Sequence, residues 1–261
     1  MAAVLIPVYK EQPAPQELLS LTRCLEILGG HPIIFVAPVQ LNMAQYRAAC
    51  DRFGLHFKAV RFKDHYFEGI AGYNKLMLSA GFYKTFLDYQ YILIYQLDAY
   101  VFRDELAYWC SKGYDFIGAP HMPHENHQGE MQFLKGYSRL LAAVNRVLRT
   151  GYKVSNVGNG GLSLRKTKTC YRLLSALSKK VIAWGTNNED GFFKYWGNLL
   201  RPLFSLPPDD VALRFSIEQS PSASLKKLGG RLPFGCHAFE KYEPATWEKH
   251  IYGGPSINQS T

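Results

Sequence analysis

The reading of the chain turns on Tyr91-Ile92-Leu93-Ile94-Tyr95-Gln96-Leu97-Asp98-Ala99-Tyr100-Val101-Phe102. Tyr91 to Gln96 are mainly apolar and β-rich, which predicts a strand buried on both faces. The pattern breaks at Asp98, too soon for a helix of ordinary length. A carboxylate directly after such a strand sits at the C-terminal edge of the sheet, where open α/β sheets bind their ligands. Val101-Phe102 then resumes the apolar pattern, leaving Asp98 as a lone charge between two buried pieces. Burying an unpaired carboxylate costs on the order of several kcal/mol, so a cation or donor partner is expected. The alternative is an Asp that caps a helix starting near Arg103-Asp104-Glu105.

Working outward, the N-terminal side alternates strands and helices. Ala3 to Tyr9 reads as a buried strand stopped by Pro7. Gln16 to Leu28 reads as a helix carrying Leu18, Leu21, Leu25 and Leu28, closed by Gly29-Gly30. A strand over Ile33–Ala37, a helix from Asn42 to about Phe53 and a strand over Leu55–Phe62 complete a parallel, right-handed α/β unit. Tyr73 to Leu87 is expected to be one long helix leading to the Asp98 strand.

Beyond that strand, a helix over Arg103–Lys112 and a strand over Tyr114–Pro120 are expected. The polar segment His121 to Gly136, with His121, His124 and His127, lacks periodicity and is long for a connection. It reads as a loop near the site that closes over a ligand. Helices follow over Ser138–Arg149 and Lys168–Lys180. Between them Val154 to Arg165 is a glycine-rich entry into a strand, where glycines permit close backbone approach. Glu189 and Asp190 fall in the first turn of a helix capped by Thr186 or Asn187. Val211 to Glu218 reads as the last strand, and Phe234 to Phe239 is an aromatic segment interrupted by His237. With no repeat, linker or low-complexity tract, residues 1–261 read as a single domain.

Composition narrows the function. Of 261 residues, 47% are hydrophobic and 20% charged, a globular mixture, and the 14% of aromatics favours stacking surfaces for rings or sugars. The formal net charge of +9 points to an anionic partner such as a nucleotide diphosphate, an acidic glycan or a lipid headgroup. Lys and Arg are spread along the chain without a dense basic run, which argues against nucleic acid. The five cysteines form no CxxC pair, so neither a disulfide framework nor a cysteine zinc site is expected, and a reducing cytoplasm fits. No apolar run reaches transmembrane length, which leaves at most peripheral membrane contact.

Three polar groupings interrupt apolar segments. Asp98 and His237 suit a divalent cation bound to a diphosphate, which takes hard oxygen donors with one imidazole and open positions for phosphate oxygens. Glu189 or Asp190 suits a general base for transfer to a hydroxyl. Read without chemistry, His237 is a satisfied core histidine and Glu189-Asp190 are helix-terminal charges.

The ordered set Gln96-Leu97-Asp98-Ala99-Tyr100-Val101-Phe102, Gly158-Asn159-Gly160-Gly161-Leu162-Ser163-Leu164-Arg165, Asn188-Glu189-Asp190 and Phe234-Gly235-Cys236-His237-Ala238-Phe239 resembles the GT-A class of nucleotide-sugar glycosyltransferases. Within that class it is similar to a poorly characterised, mostly bacterial family. The resemblance implies a Rossmann-like mixed, mainly parallel sheet flanked by helices. It implies a nucleotide-sugar donor, a glycan or glycolipid acceptor, and an inverting transfer with Asp190 as base beside Glu189. It implies a divalent cation, Mn or Mg, held by Asp98 and His237, with Gly160 and Gly161 on the acceptor side. Pro7, Val8 and Tyr9 would contact the base or ribose, and Tyr73, Asn74 and Lys75 would lie over the nucleotide. Gln96 and Tyr100 would join Asp98 on the donor side. The second acid of the class's DXD motif is Tyr100 here, so Lys10, Lys75 or Arg165 are alternative cations for the diphosphate. Such an enzyme would work in the cytoplasm or at the inner face of the membrane. The competing reading is a non-catalytic carbohydrate- or nucleotide-binding module on the same scaffold.

Overall fold

The computed structural model describes residues 1–121 and 137–253. The chain begins β1 (Ala2–Pro7), α1 (Pro15–Leu28), β2 (Ile33–Pro38), α2 (Ala44–Asp51) and β3 (Phe57–Phe62). It returns through α3 (Gly69–Met77) and α4 (Ala80–Thr85) to β4 (Tyr91–Tyr95). Next come β5 (Ala99–Val101), α5 (Leu106–Ser111), β6 (Phe116–Ile117), α6 (Tyr137–Leu148) and β7 (Leu162–Lys166). The C-terminal part is α7 (Thr167–Ala176), α8 (Ser178–Trp184), α9 (Glu189–Leu199), α10 (Asp209–Phe215), β8 (Ser216–Ile217), α11 (Pro221–Lys227), β9 (Gly235–His237) and α12 (Pro244–Ile251).

The main sheet runs in the order β3-β2-β1-β4-β7-β6. Strands β1 to β4 are mutually parallel, and β7 runs antiparallel between β4 and β6. After β1 the chain steps outward to β2 and β3, then comes back to lay β4 on the other side of β1. The strand order therefore reverses between β1 and β4, and the crevice beyond their C-terminal ends is the place where such sheets hold ligands. A smaller sheet, β5-β9-β8, continues from this edge. Its register sets Ala99 opposite His237, which delivers the histidine to the turn containing Asp98.

Side chains alternate along each central strand and fill two cores. Ala3, Leu5, Ile92 and Ile94 pack with Leu76, Phe82, Leu174 and Phe193 on one face. Val4, Ile6, Leu93 and Tyr95 pack with Leu21, Leu25, Tyr46 and Trp109 on the other. Every residue of β4 is buried, as its apolar run requires. A third cluster, including Tyr100, Cys236, Phe239 and Trp247, lies against the small sheet.

Four segments depart from the sequence reading. The expected strand over Val211–Glu218 is α10 followed by the two residues of β8. Pro208 is extended and caps α10, Asp209 and Asp210 occupy its first turn, and Val211 and Phe215 are one helical turn apart. The expected single helix over Tyr73–Leu87 is broken at an extended Ser79, and the Tyr83 hydroxyl donates to the freed Met77 carbonyl at 3.0 Å. The helix over Lys168–Lys180 divides at Leu177 into α7 and α8. Of the strand expected over Tyr114–Pro120, only Phe116–Ile117 pairs as β6, with an isolated bridge from Pro120 to Val157. Apart from His121 itself, the polar segment to Gly136 lies outside the described residues. Among the described residues no helix is long and apolar enough to cross a membrane.

Candidate active site

A cleft of about 640 Å³ opens at the β1/β4 switch point. Pro7, Val8 and Tyr9 line it from the end of β1, and Gln96, Leu97 and Asp98 from the end of β4. Asn159, Gly160 and Gly161 form one wall, and Glu189 and Asp190 enter from the first turn of α9. His237 closes the side formed by the small sheet.

The glycine-rich loop before β7 exists to let other side chains in. A Cβ on Gly158 would fall on the ring of His121, one on Gly160 on the Glu189 carboxylate, and one on Gly161 on the ring of His237. Between them Asn159 takes a left-handed conformation, φ 63°, which Asn tolerates better than most residues. Its backbone N–H donates to Asp190 Oδ2 at 2.7 Å, and its Oδ1 accepts from Gly161 N–H at 2.9 Å. The Asn159 Nδ2 amide is buried with no hydrogen-bond partner among the described residues.

The two acids of α9 have different surroundings. Glu189 is buried, and its Oε1 accepts from the fully buried Arg165 guanidinium at 2.8 Å. Arg165 also donates to the Tyr83 hydroxyl at 2.7 Å, to Ser163 Oγ at 3.0 Å and to the Gly160 carbonyl at 3.3 Å. Burial pushes the Glu189 carboxyl up from its ordinary range, and the Arg165 charge opposes that shift. Asp190 lines the cleft with its carboxylate held in a fixed orientation, Oδ2 by Asn159 N–H and Oδ1 by Gly191 N–H, each at 2.7 Å. His121 Nε2 lies 3.7 Å from Asp190 Oδ2, and His121 Nδ1 is 3.1 Å from Lys194 Nζ. An ammonium only donates, so Nδ1 is the acceptor and the ring turns its Nε2–H toward Asp190.

On the facing wall, His237 Nε2 is 3.0 Å from Asp98 Oδ1 and 3.2 Å from Gln96 Oε1, while Nδ1 is 3.2 Å from Glu218 Oε1. Burial would depress the imidazole, but its hydrogen bonds to Asp98 and Glu218 push it up to about 10. Partial desolvation works against ionised Asp98, yet the bond and charge of His237 hold its carboxyl below the ordinary value. Asp98 is not buried as the sequence suggested: its side chain is 52% exposed, because the chain turns at residues 97–98 and presents the carboxylate to the cleft. The expected partner is present.

The Asp98–His237 pair also fits a divalent cation. Two ligands about 2.1 Å from one octahedral ion, at right angles, lie about 3.0 Å apart. A carboxylate with an imidazole is a donor set suited to Mn or Mg. Among the described residues no three His, Cys, Asp or Glu side chains converge on such a point.

Other expected site residues are placed elsewhere. Tyr100 turns away from the cleft: its ring packs against Phe102 and Phe239 with the Arg23 guanidinium 5.5 Å above it, since strand alternation sends it to the third core. Lys75 lies on the exposed side of α3 and does not line the cleft. Arg165 is fully buried and paired with Glu189 and does not line the cleft, so it is not a cation for the diphosphate. Asn74 does line the cleft, where its Nδ2 donates to the Thr186 carbonyl at 3.0 Å. Lys10 reaches the rim but is paired with Glu17 at 2.8 Å. The sequence reading missed Glu218, Asn159 and the individual role of His121. Asn159 stood inside the quoted glycine motif, whereas Glu218 carried no signal, because β8 brings it to His237 from 19 residues away.

This architecture is the GT-A fold of nucleotide-sugar glycosyltransferases. Mouse xyloside xylosyltransferase 1 superposes with a TM-score of 0.57 at 14% identity, covering 91% of this chain and 97% of that one. The galactosyltransferase LgtC, in complex with donor and acceptor sugar analogues, gives 0.58 at 13% identity over 90% and 86%. WbbM, a bifunctional glycosyltransferase, gives 0.51 at 10% identity, covering 97% of this chain and 50% of its own. No curated protein matches the sequence. Residues 56–237 match the family described as a protein of unknown function, DUF5672, and the chain belongs to that family.

Four outcomes test this geometry. Arg165→Met leaves Glu189 buried without its counter-charge and should lower stability by about 3–5 kcal/mol in urea denaturation. Gly160→Ala drives a methyl into a carboxylate that Arg165 pins in place and should cost about 1–3 kcal/mol. Its effect should fall well short of additive with Arg165→Met, because both disrupt one unit. For the protein in chelator, the raised His237 group stabilises the fold fully below pH 6.5, and that contribution is lost as pH rises through about 10. Thermal melts should show a decline across this window that His237→Gln flattens.

Proposed function

We propose that this protein is a glycosyltransferase that moves a sugar from a nucleotide-diphosphate donor to a hydroxyl of a glycan or glycolipid, with inversion at the anomeric carbon. One observation carries the reading: at the β1/β4 switch point, Asp190 faces the same cleft as Asp98 and His237. The fold, shared with sugar-transferring enzymes, supports the class of reaction. The nucleotide lies against Pro7, Val8, Tyr9 and Asn74, and its diphosphate lies by Gln96, Asp98 and His237. Asp98 and His237 would hold a divalent cation, which when bound would supply charge that offsets the diphosphate. The acceptor enters past Gly160 and Gly161. Its hydroxyl oxygen bonds to the anomeric carbon, the bond from that carbon to the phosphate oxygen breaks, and the nucleoside diphosphate leaves. The hydroxyl proton passes to Asp190.

The fixed orientation of Asp190 supports its assignment as base. Each of its oxygens accepts one backbone N–H, and each keeps a lone pair for a proton. Glu189, held by Arg165, positions the first turn of α9 instead of exchanging protons. The chain acts as one domain in the cytoplasm, with at most peripheral contact at the inner face of the membrane and no nucleic-acid partner. Five free cysteines support that compartment.

A second reading is a non-catalytic carbohydrate- or nucleotide-binding module, favoured by the burial of Tyr100 where the class has its second acid. A thermal-shift screen of nucleotide sugars, with and without manganese, identifies the donor for either reading. Turnover then separates them. Asp190→Asn should lower kcat by roughly a hundred- to ten-thousand-fold while donor affinity by calorimetry stays close to wild type. Unchanged turnover, or a product that keeps the donor's anomeric configuration by NMR, overturns the inverting mechanism. Tight donor binding with no transfer to any glycan favours the binding module.

A further inference from the structure

Cations are dispersed along the sequence, but acids are missing from one part of it. From Lys166 to Asn188 the chain carries Lys166, Lys168, Arg172, Lys179 and Lys180 and no Asp or Glu, so more than half of the net charge of +9 arises there. The fold turns this segment into an outer face. On α7, Lys168, Arg172 and Ser175 are exposed along one helical stripe, while Cys170, Leu173 and Leu174 are buried in the core. On α8, Lys179, Lys180 and Ile182 are exposed, and Val181 and Trp184 pack inward. Helix α4 packs beside α7 and adds exposed Lys84, followed by exposed Leu87 and Asp88, the acid on that side. Lys166 is already paired, 3.8 Å from Asp115. Resting on the transfer reading above for its second half, we propose that the α7–α8 face docks on a bilayer rich in anionic lipid headgroups, and that the acceptor is lipid-linked.

The apolar member of the face decides the kind of partner. Ile182 is 79% exposed among these cations. A soluble polyanion would be served by the cations alone. A bilayer surface offers phosphate groups and, directly beneath them, hydrocarbon that takes up an isoleucine. Lysine stems lie along such an interface with their ammonium groups among the headgroups. The face also ends at the cleft. Four residues beyond Trp184 stands Asn188, which lines the cleft and caps the helix bearing Asp190. The connection is fastened to α3, where Asn74 Nδ2 donates to the Thr186 carbonyl at 3.0 Å. Ile70, one turn before Asn74 on α3, is 76% exposed and lines the same cleft. A bilayer against Ile182 therefore meets the cleft beside Ile70 and Asn188, close to the carboxylate that receives the acceptor's proton.

Co-sedimentation of the purified full chain with lipid vesicles tests this without donor or turnover. Vesicles of phosphatidylcholine mixed with phosphatidylglycerol should bring the chain down, and vesicles of phosphatidylcholine alone should not. Raising the salt to roughly 0.5 M should release it. Lys179→Glu combined with Lys180→Glu should weaken binding about tenfold or more. Ile182→Ser should weaken it severalfold with every cation in place. Lys226→Glu combined with Lys227→Glu, a matched change of two exposed lysines on α11, should leave it unchanged. Equal binding to neutral vesicles, an equal loss from the α11 pair, or no effect of the α8 changes overturns the proposal. So does retention on heparin, lost in the Lys179→Glu and Lys180→Glu protein, without any binding to vesicles; the face would then serve a soluble polyanion. Absent vesicle binding with sugar transfer intact would sink the docking face and leave the transfer reading standing. Vesicle binding as expected, with no nucleotide sugar bound, would do the reverse.

Discussion

The Arg165 guanidinium, wholly buried and bonded to Glu189, is the contact on which the rest of the site depends. A charge removed from water is tolerable only when it is paired and its hydrogen-bond donors are used. Here Ser163, Tyr83, Gly160 and Glu189 use them, and the rings of Phe116 and Phe193 lie 5.1 and 5.4 Å from the charge. Those partners come from β7, α4, the glycine loop and α9. One side chain thereby ties the antiparallel half of the sheet to the helix that carries Asp190.

The parallel half was legible because its physics is local. Short apolar runs, leucines at helical spacing and glycines after helices locate β1, α1, β2 and β4, and the position of Asp98 just after β4 follows from them. The C-terminal half resisted. Val211 to Phe215 is apolar enough for a strand, and only the Pro-Pro-Asp-Asp run before it marks a helix start. Arg165 read as a cation for the diphosphate because sequence does not reveal that a glycine five residues earlier opens a path to Glu189. Tyr100 and Asp98 are two residues apart and read as one motif, yet a turn intervenes and sends them to opposite environments.

Charge distribution follows the same division between local and distant information. A net charge of +9 describes the whole surface, while the cleft is walled by acids. Only the fold reveals that contrast, since Glu17, Glu218 and the α9 pair come from segments far apart in sequence. Of the lysines that make up that charge, Lys10 and Lys241 reach the cleft, and Lys10 is paired there with Glu17.

The three glycines at 158, 160 and 161 have a consequence for how this cleft can change over generations. Each leaves a vacancy filled by a side chain from a remote segment: 121, 189 or 237. A larger residue at any of them is acceptable only after its occupant has shrunk, and a smaller occupant opens a void until the glycine is replaced. Single steps in either direction are penalised, so the loop and its three visitors are expected to drift as matched pairs. New specificity would then arise most readily at the open rim, around Tyr9 and Lys241, where no such reciprocity binds one position to another.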